Sequence, residues 1–386
     1  MLGAGCLFIS NIITKGLFTP KEYGEYSIVV TYFSLLYLFG ILGTEQGFLR
    51  FSFCKEKGTI ETYKNQIILV ICVAFFSAIL GAILFNYFYD DIVLNRILFF
   101  LAGIGIVFLL FLFNILRLNQ DFVLSQLIAN YWKIALFLIS ICYFVFKEIN
   151  FENYINFFLI NIILGFVIAV FFVASRIKFI FNTSSIKLLP TFFHFFLSIL
   201  TFTLVTFSDR FLVESKFSIQ EFGDYFYLSN FFLAPYSIIQ NYIGFKQLVF
   251  FKDNFTVKIF KQKNKKSIII GIVIGVSLFL LVSLISYFDL ITFDFKNHTF
   301  LIVLLIVTGV VRLYSSSILS AFEAKVSVDT LKKTNIVIVF ITVIMLISAT
   351  YLTENIQEVL FCVIIIWASR AFIHRYMLLK QIQNDL

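Results

Sequence analysis

Charge is scarce in this chain: Asp, Glu, Lys and Arg together make up 13% of 386 residues. An ordinary globular chain carries about 25% charged and about 45–50% apolar residues. Here the hydrophobic share is 60% and the mean hydropathy is +0.97. A water-soluble fold could not hide that much apolar surface, so the composition predicts a polytopic membrane protein. The net charge of +8 would suggest nucleic acid in a soluble chain. In a membrane chain it reports basic loops on the cytoplasmic side, and no nucleic-acid partner is expected.

Cysteine is also sparse. Cys6, Cys54, Cys72, Cys142 and Cys362 form no CxxC pair, and four of them lie in apolar runs. They read as small buried residues rather than disulfides or zinc ligands. His194, His298 and His374 are far apart in sequence, so no metal site is evident. The chain has no nucleophile elbow, phosphate loop, paired-carboxylate site or HExxH, and it implies no cofactor. Gly103-Ile104-Gly105 lies in apolar helix and reads as a close-packing site. No loop is long enough to hold the acids or arginines of an embedded glycosyltransferase or polymerase. Transport is favoured over catalysis.

What the chain does have is a repeat. Phe18-Thr19-Pro20-Lys21-Glu22-Tyr23-Gly24-Glu25-Tyr26 is answered by Phe217-Ser218-Ile219-Gln220-Glu221-Phe222-Gly223-Asp224-Tyr225, 199 residues later. Each copy sits between two apolar runs. A looser match follows: Gly47-Phe48-Leu49-Arg50 against Gly244-Phe245-Lys246. Chance similarity in a Phe-rich chain would not keep the spacing to the flanking runs. Internal duplication is the better reading, and duplicated halves are the build of many secondary transporters.

A bilayer core needs about 20 apolar residues per helix, and helices satisfy their own backbone there. On that rule the chain divides into about 12 transmembrane helices. They fall near 2–18, 27–47, 67–89, 97–116, 123–146, 154–174, 191–213, 225–245, 267–288, 299–320, 335–353 and 358–379. An N-terminal six-helix bundle is expected over 1–174, a cytoplasmic linker over 175–190, and a C-terminal six-helix bundle over 191–386. Pro235 is expected to kink the eighth span. The first span is short, which predicts that the chain lacks several N-terminal residues its relatives have.

Twenty-one Lys and Arg, among them Arg370, Arg375 and Lys380, fall on one set of loops. Six (Lys15, Lys21, Arg96, Lys147, Lys216 and Lys296) fall on the other. The asymmetry puts both termini in the cytoplasm. The run Lys258–Lys266 reads as a cytoplasmic basic loop lying on anionic headgroups. Six spans per half give both halves the same orientation. They would be parallel repeats related by a two-fold axis along the membrane normal, with the cleft between them as the polar pathway.

Polar residues at membrane depth are the functional candidates, because a charge at the centre of a span costs about 2.5–3.5 kcal/mol on insertion scales. Arg312 lies well inside the tenth span, followed by Tyr314, Ser315, Ser316 and Ser317, and a cavity-facing role is favoured over structural pairing. Arg210 is the deep cation of the seventh span. It has a possible partner in Glu214, four residues on, so a ligand role and a structural pair stay equally open. Lys133 follows Asn130, Tyr131 and Trp132 and either faces inward or snorkels. Arg50 closes the second span beside Glu45 and Gln46, as an anchor or as a cation at the cytoplasmic mouth, and Lys246 is its approximate mirror.

The first helix, the stretch Leu17–Tyr26, and a second helix ending Gly43-Thr44-Glu45-Gln46-Gly47-Phe48-Leu49-Arg50 together resemble a known family. So does the copy with Ser208-Asp209-Arg210 before Glu221-Phe222-Gly223-Asp224-Tyr225. The family is the polysaccharide-biosynthesis (O-antigen type) flippases of the multidrug/oligosaccharidyl-lipid/polysaccharide exporter superfamily. The resemblance implies an all-α integral membrane fold, a V-shaped pair of six-helix bundles in the bacterial cytoplasmic membrane. It also implies a polyprenyl-pyrophosphate-linked oligosaccharide carried from the cytoplasmic to the outer leaflet. Arg50, Arg210 and Arg312, with Lys133 behind them, are then the expected headgroup contacts, since Arg suits bidentate phosphate binding. Alternating access is the expected mechanism, and a coupling proton or sodium ion stays open. Two other readings compete: an ion-coupled drug or cation exporter of the same superfamily, which would favour buried acids such as Asp209, Glu45 or Glu323, and a membrane-embedded glycan polymerase.

Overall fold

The computed structural model describes residues 2–146, 150–182, 188–288 and 295–384. Among them are thirteen α-helices and three short strands. The chain opens with α1 (Leu2–Leu17), α2 (Pro20–Phe39) and α3 (Thr44–Phe51), then the hairpin strands β1 (Phe53–Glu56) and β2 (Thr59–Tyr63). It continues through α4 (Lys64–Phe88), α5 (Arg96–Leu118), α6 (Phe122–Phe146), α7 (Phe151–Arg176) and β3 (Lys178–Asn182). The remainder is helical: α8 (Leu188–Lys216), α9 (Ile219–Asp253), α10 (Val257–Tyr287), α11 (Thr299–Lys325), α12 (Val328–Leu352) and α13 (Ile356–Asn384).

Among the described residues, ten helical stretches are long and apolar enough to cross a membrane, α2 and α3 counting as one. The chain is therefore a predominantly helical, multi-pass membrane protein. α1 has 16 residues and falls short of that length. α9, with 35 residues, is long but is not among the ten. It continues through Pro235, whose ring leaves the carbonyl of Phe231 without its usual partner.

The repeated motif has a local physical cause. In each copy it starts a helix with a capping box, the reciprocal side-chain and backbone bonding that satisfies orphan N–H groups. Glu22 N donates to Thr19 Oγ1 at 3.4 Å, and Thr19 N donates to Glu22 Oε2 at 2.9 Å. In the second copy Glu221 N donates to Ser218 Oγ at 3.3 Å, and Ser218 N donates to Glu221 Oε2 at 3.0 Å. Pro20 adds a first helical residue that has no N–H to lose.

The structure departs from the sequence expectation in four places. The stretch 27–47 is not one helix. It breaks between Gly40 and Gly43, where Leu42 and Gly43 adopt φ of 49° and 79°. Gly43 is needed there twice over, because a Cβ would also lie 2.8 Å from the backbone carbonyl of Phe195. A small sheet also appears in an otherwise helical chain. β2 pairs antiparallel with β1 and parallel with β3, with Ile60 opposite Phe179. The expected linker 175–190 thus holds a strand, and its residues 183–187 lie outside the described residues. Gly58, at φ 91°, turns the hairpin, and its N–H donates to Asn119 Oδ1 at 2.7 Å. The run Lys258–Lys266 is not a loop but the first turns of α10. Finally, Arg370, counted among the loop charges, is buried in α13.

The chain divides into two compact units, Met1–Thr203 and Leu204–Leu386, with the boundary inside α8. Within the first, α5 packs against α2, α4, α6 and α7, while α6 packs against α1 and α7. Its core is aromatic: Phe33, Phe85 and Phe99 enclose Tyr32, with ring centroids 4.2–5.5 Å apart. Within the second, α11 packs against α9, α10 and α13, and α12 packs against α13. Lys216, at the end of α8, donates to carbonyl oxygens of Ala349 and Thr353. It thereby supplies a cation to the C-terminus of α12.

Candidate functional site

α11 carries an unusual load for a membrane-crossing helix. Arg312 lies near the midpoint of its 27 residues, and Thr308, Ser315, Ser316, Ser317 and Ser320 are buried with it. At 1.5 Å per residue the helix is about 40 Å long, so the guanidinium starts from the middle of a bilayer-spanning element.

Its partner comes from α8. Arg312 Nη2 lies 3.4 Å from Asp209 Oδ2, with side chains 7% and 3% exposed. The same carboxylate oxygen accepts the hydroxyl of Tyr225, from α9, at 2.7 Å. One acid therefore ties three helices. The aromatic face of Trp367, from α13, lies under the Arg312 guanidinium at 5.1 Å, and Arg370 lies 5.4 Å from the same ring. Arg312 Nε and Asp209 Oδ1 make no hydrogen bond within the described residues. The pair uses one guanidinium nitrogen and one carboxylate oxygen, leaving donor and acceptor capacity on each partner.

Arg210 points elsewhere. Half-buried, it donates to Asn230 Oδ1 at 3.1 Å and sits over the rings of Phe207 and Phe226 at 5.6 and 4.9 Å. Two of the four expected cations thus belong to the second unit. The other two belong to the first. Lys133 is on α6 with its ammonium 5.3 Å from the Trp132 ring, and Arg50 is exposed in the last turn of α3, 6.0 Å from the Phe51 ring. They lie on separate helices. The expectation that Arg312 faces a cavity meets a different arrangement, an ion pair with Asp209.

The first unit has a neutral version of the same construction. The displacement of 199 residues that relates the two motifs also relates Tyr26 to Tyr225, Ser10 to Asp209 and Asn11 to Arg210. Tyr26 donates to Asn11 Oδ1 at 2.9 Å and lies 3.5 Å from Ser10 Oγ. Ser10 meets Ser140 of α6 at 2.7 Å, and Ser140 meets Tyr154 of α7 at 2.8 Å. Hydroxyls and one amide therefore suffice to lock that helix entry. The second unit uses a carboxylate and a guanidinium for the same task.

Below the ion pair, α13 presents Trp367, Arg370, Ala371, His374 and Leu378 as one buried stripe. His374 lies against the Phe322 ring at 4.7 Å. Trp367 Nε1, Arg370 Nε and both His374 ring nitrogens make no hydrogen bond within the described residues. On another side of α11, Ser317 Oγ lies 2.7 Å from Gln247 Oε1 of α9 and 2.8 Å from Asn264 Oδ1 of α10. The sequence reading singled out Ser317 beside Arg312 but not Gln247, Asn264 or the α13 stripe of Trp367, Arg370 and His374. The signal was available in the spacing of Trp367, Arg370 and His374, which puts an Arg and a His on one helical face.

Comparison with protein-family models, with curated proteins and with solved structures returned no match.

Proposed function

We propose that the protein is a transporter rather than an enzyme: a flippase that moves a polyprenyl-pyrophosphate-linked oligosaccharide from the cytoplasmic to the outer leaflet by alternating access. The observation that carries this reading is the buried Asp209–Arg312 pair between two helices that are long and apolar enough to cross a membrane. Charges placed there are costly and mark substrate or ion pathways by default. The neutral cluster around Tyr26 argues that helix packing alone does not call for them.

In this reading Asp209 holds Arg312 while no cargo is bound. The pyrophosphate, unable to cross hydrocarbon bare, competes with the carboxylate for the guanidinium. Arg210, one helical step from Asp209, supplies a second cation. Arg50 and Lys133 are the corresponding headgroup contacts of the first unit. The protein sits in the bacterial cytoplasmic membrane with both termini in the cytoplasm. It has twelve spans in two parallel repeats, α1 and α9 joining the ten long apolar stretches. Two things support the repeat: the paired capping boxes, and the recurring order in which the fourth helix of each half packs against the second, third and sixth. The experiment is glycan export in cells expressing Arg210→Ala and Arg312→Ala at matched membrane levels. The expected result is lost export with lipid-linked glycan accumulating on the cytoplasmic face. Undiminished export in both variants overturns the assignment.

A second reading, an ion-coupled drug or cation exporter, is favoured by the buried acids. Glu45 is 5% exposed, and its Oε2 has no hydrogen-bond partner within the described residues. Substrate charge decides: uptake of cationic drugs into inverted vesicles, abolished by Asp209→Asn, would replace the flippase reading.

A further inference from the structure

α11 and α13 pack against each other along one seam. Arg312 meets the Trp367 ring at 5.1 Å, and further along both helices the Phe322 and His374 rings meet at 4.7 Å. Residue numbers rise together along the seam, so the two helices run parallel. Arg370 stands three residues after Trp367 and four before His374, which puts all three on one face of α13. Its guanidinium lies 5.4 Å from the Trp367 ring. On α11, Ser315 stands one turn beyond Arg312, on the side that leads to Phe322. The seam is rich in hydrogen-bond donors that meet no acceptor. Arg312 Nε, Ser315 Oγ, Trp367 Nε1, Arg370 Nε and both His374 ring nitrogens make no hydrogen bond within the described residues. None of these five residues is more than 6% exposed. Indole and guanidinium N–H groups can only donate, and a neutral imidazole donates from one of its nitrogens.

Charge decides what such a cluster takes. Arg312 has Asp209 as its counter-ion. Arg370 has no carboxylate within ion-pair distance among the described residues, and Glu323, the residue after Phe322, is exposed. Water can answer a single donor, but a buried guanidinium calls for an anion. Two planar forks suit an oxyanion better than a halide, because each can grip two oxygens. We propose that Arg370, together with Arg312 Nε, Ser315 Oγ, Trp367 Nε1 and His374, forms a binding site for a phosphate-type oxyanion inside the second unit. Free phosphate and the diphosphate head of a lipid-linked glycan share that chemistry, and the second source rests on the flippase reading. Arg370 is then a headgroup contact one helical turn along α13 from the Arg312–Trp367 contact.

The chain has two Trp, so full-length protein carrying Trp132→Phe reports from Trp367 alone. Sodium pyrophosphate, sodium phosphate and sodium chloride are titrated into it in detergent at constant ionic strength, and indole emission is read. The oxyanions are expected to give a saturable change and chloride none. Arg370→Gln should weaken pyrophosphate about tenfold. Arg370→Lys, which keeps the charge and loses the fork, and Ser315→Ala should each weaken it about threefold, and these two milder variants carry the decision where Arg370→Gln does not fold. No saturable change, an equal change with chloride, or an affinity unchanged in every folded variant overturns the proposal. Pyrophosphate bound about tenfold tighter than phosphate assigns the site to a diphosphate head, and equal affinities assign it to free phosphate. Export in cells is read separately. Oxyanion binding by a protein whose deletion leaves glycan export intact keeps the site and removes the flippase reading. Export that needs the protein, with no oxyanion response at Trp367, does the reverse.

Discussion

Asp209 and Arg312 stand 103 residues apart in sequence and 3.4 Å apart in space, each almost wholly buried. Removing one partner of such a pair strands the other charge, whereas removing both strands neither. Asp209→Ala should therefore destabilise the protein by about 3–5 kcal/mol. The double variant Asp209→Ala/Arg312→Met should cost clearly less than the sum of the two single changes. Thermal unfolding of purified protein in detergent checks both values. Additive losses would mean that the two side chains do not depend on each other.

Trp367 has two guanidinium groups near its ring, Arg312 at 5.1 Å and Arg370 at 5.4 Å. A desolvated cation over an indole face is worth about 2 kcal/mol or more. Trp367→Leu should lose that attraction twice and loosen both arginines, while Trp367→Phe keeps an aromatic face and loses less. Comparing the melting temperatures of the two variants settles the order. A Phe variant as unstable as the Leu variant would assign the loss to volume alone.

The capping boxes make a paired prediction. Thr19→Ala and Ser218→Ala should each cost about 1 kcal/mol, while Thr19→Ser should be nearly silent. The amides of Glu22 and Glu221, which donate to those hydroxyls, should exchange faster with solvent deuterium in the alanine variants. Unchanged exchange at both amides would remove the caps as the reason the motif occurs twice.

Gly309 is a site of forced approach. A Cβ added there would come within 2.4 Å of the Tyr236 ring, whose hydroxyl donates to Gly271 O at 3.0 Å. Gly309→Ala should cost about 1–3 kcal/mol through overpacking. In a Tyr236→Ala background the same change should cost little. An equal penalty in both backgrounds would place the strain elsewhere.

The helical framework was legible because the bilayer leaves few choices. A run of about 20 apolar residues such as 97–116 has one way to satisfy its backbone, and it appears as α5. The repeated motif was legible as well, since Thr19 and Ser218 each stand three residues before a Glu, the spacing of a capping box. What escaped the reading depended on partners distant in sequence. β3 is a strand because Phe179 finds Ile60, which local pattern does not announce. Gly40 and Gly43 marked a weak point in the second span, but the break also depends on the backbone of Phe195 lying against Gly43. At the candidate site, Arg210 and Arg312 stood out as charges in apolar runs. Asp209 looked like a neighbour of Arg210, and its bond to Arg312 comes from helix packing. Arg370 was mistaken for a loop charge because its run is closed by Arg375 and Lys380, which are loop-like in composition.

The parallel pairing of β2 with β3 joins residues that leave the ribosome more than a hundred positions apart. β1 and β2 can close as a hairpin early, but the third strand arrives only after α4, α5, α6 and α7 have been made. Loop-closure entropy over that length grows only slowly, so the delay is one of timing rather than of free energy. The sheet closes only on a chain whose first seven helices have been synthesised, and until then the second edge of β2 has no strand to pair with.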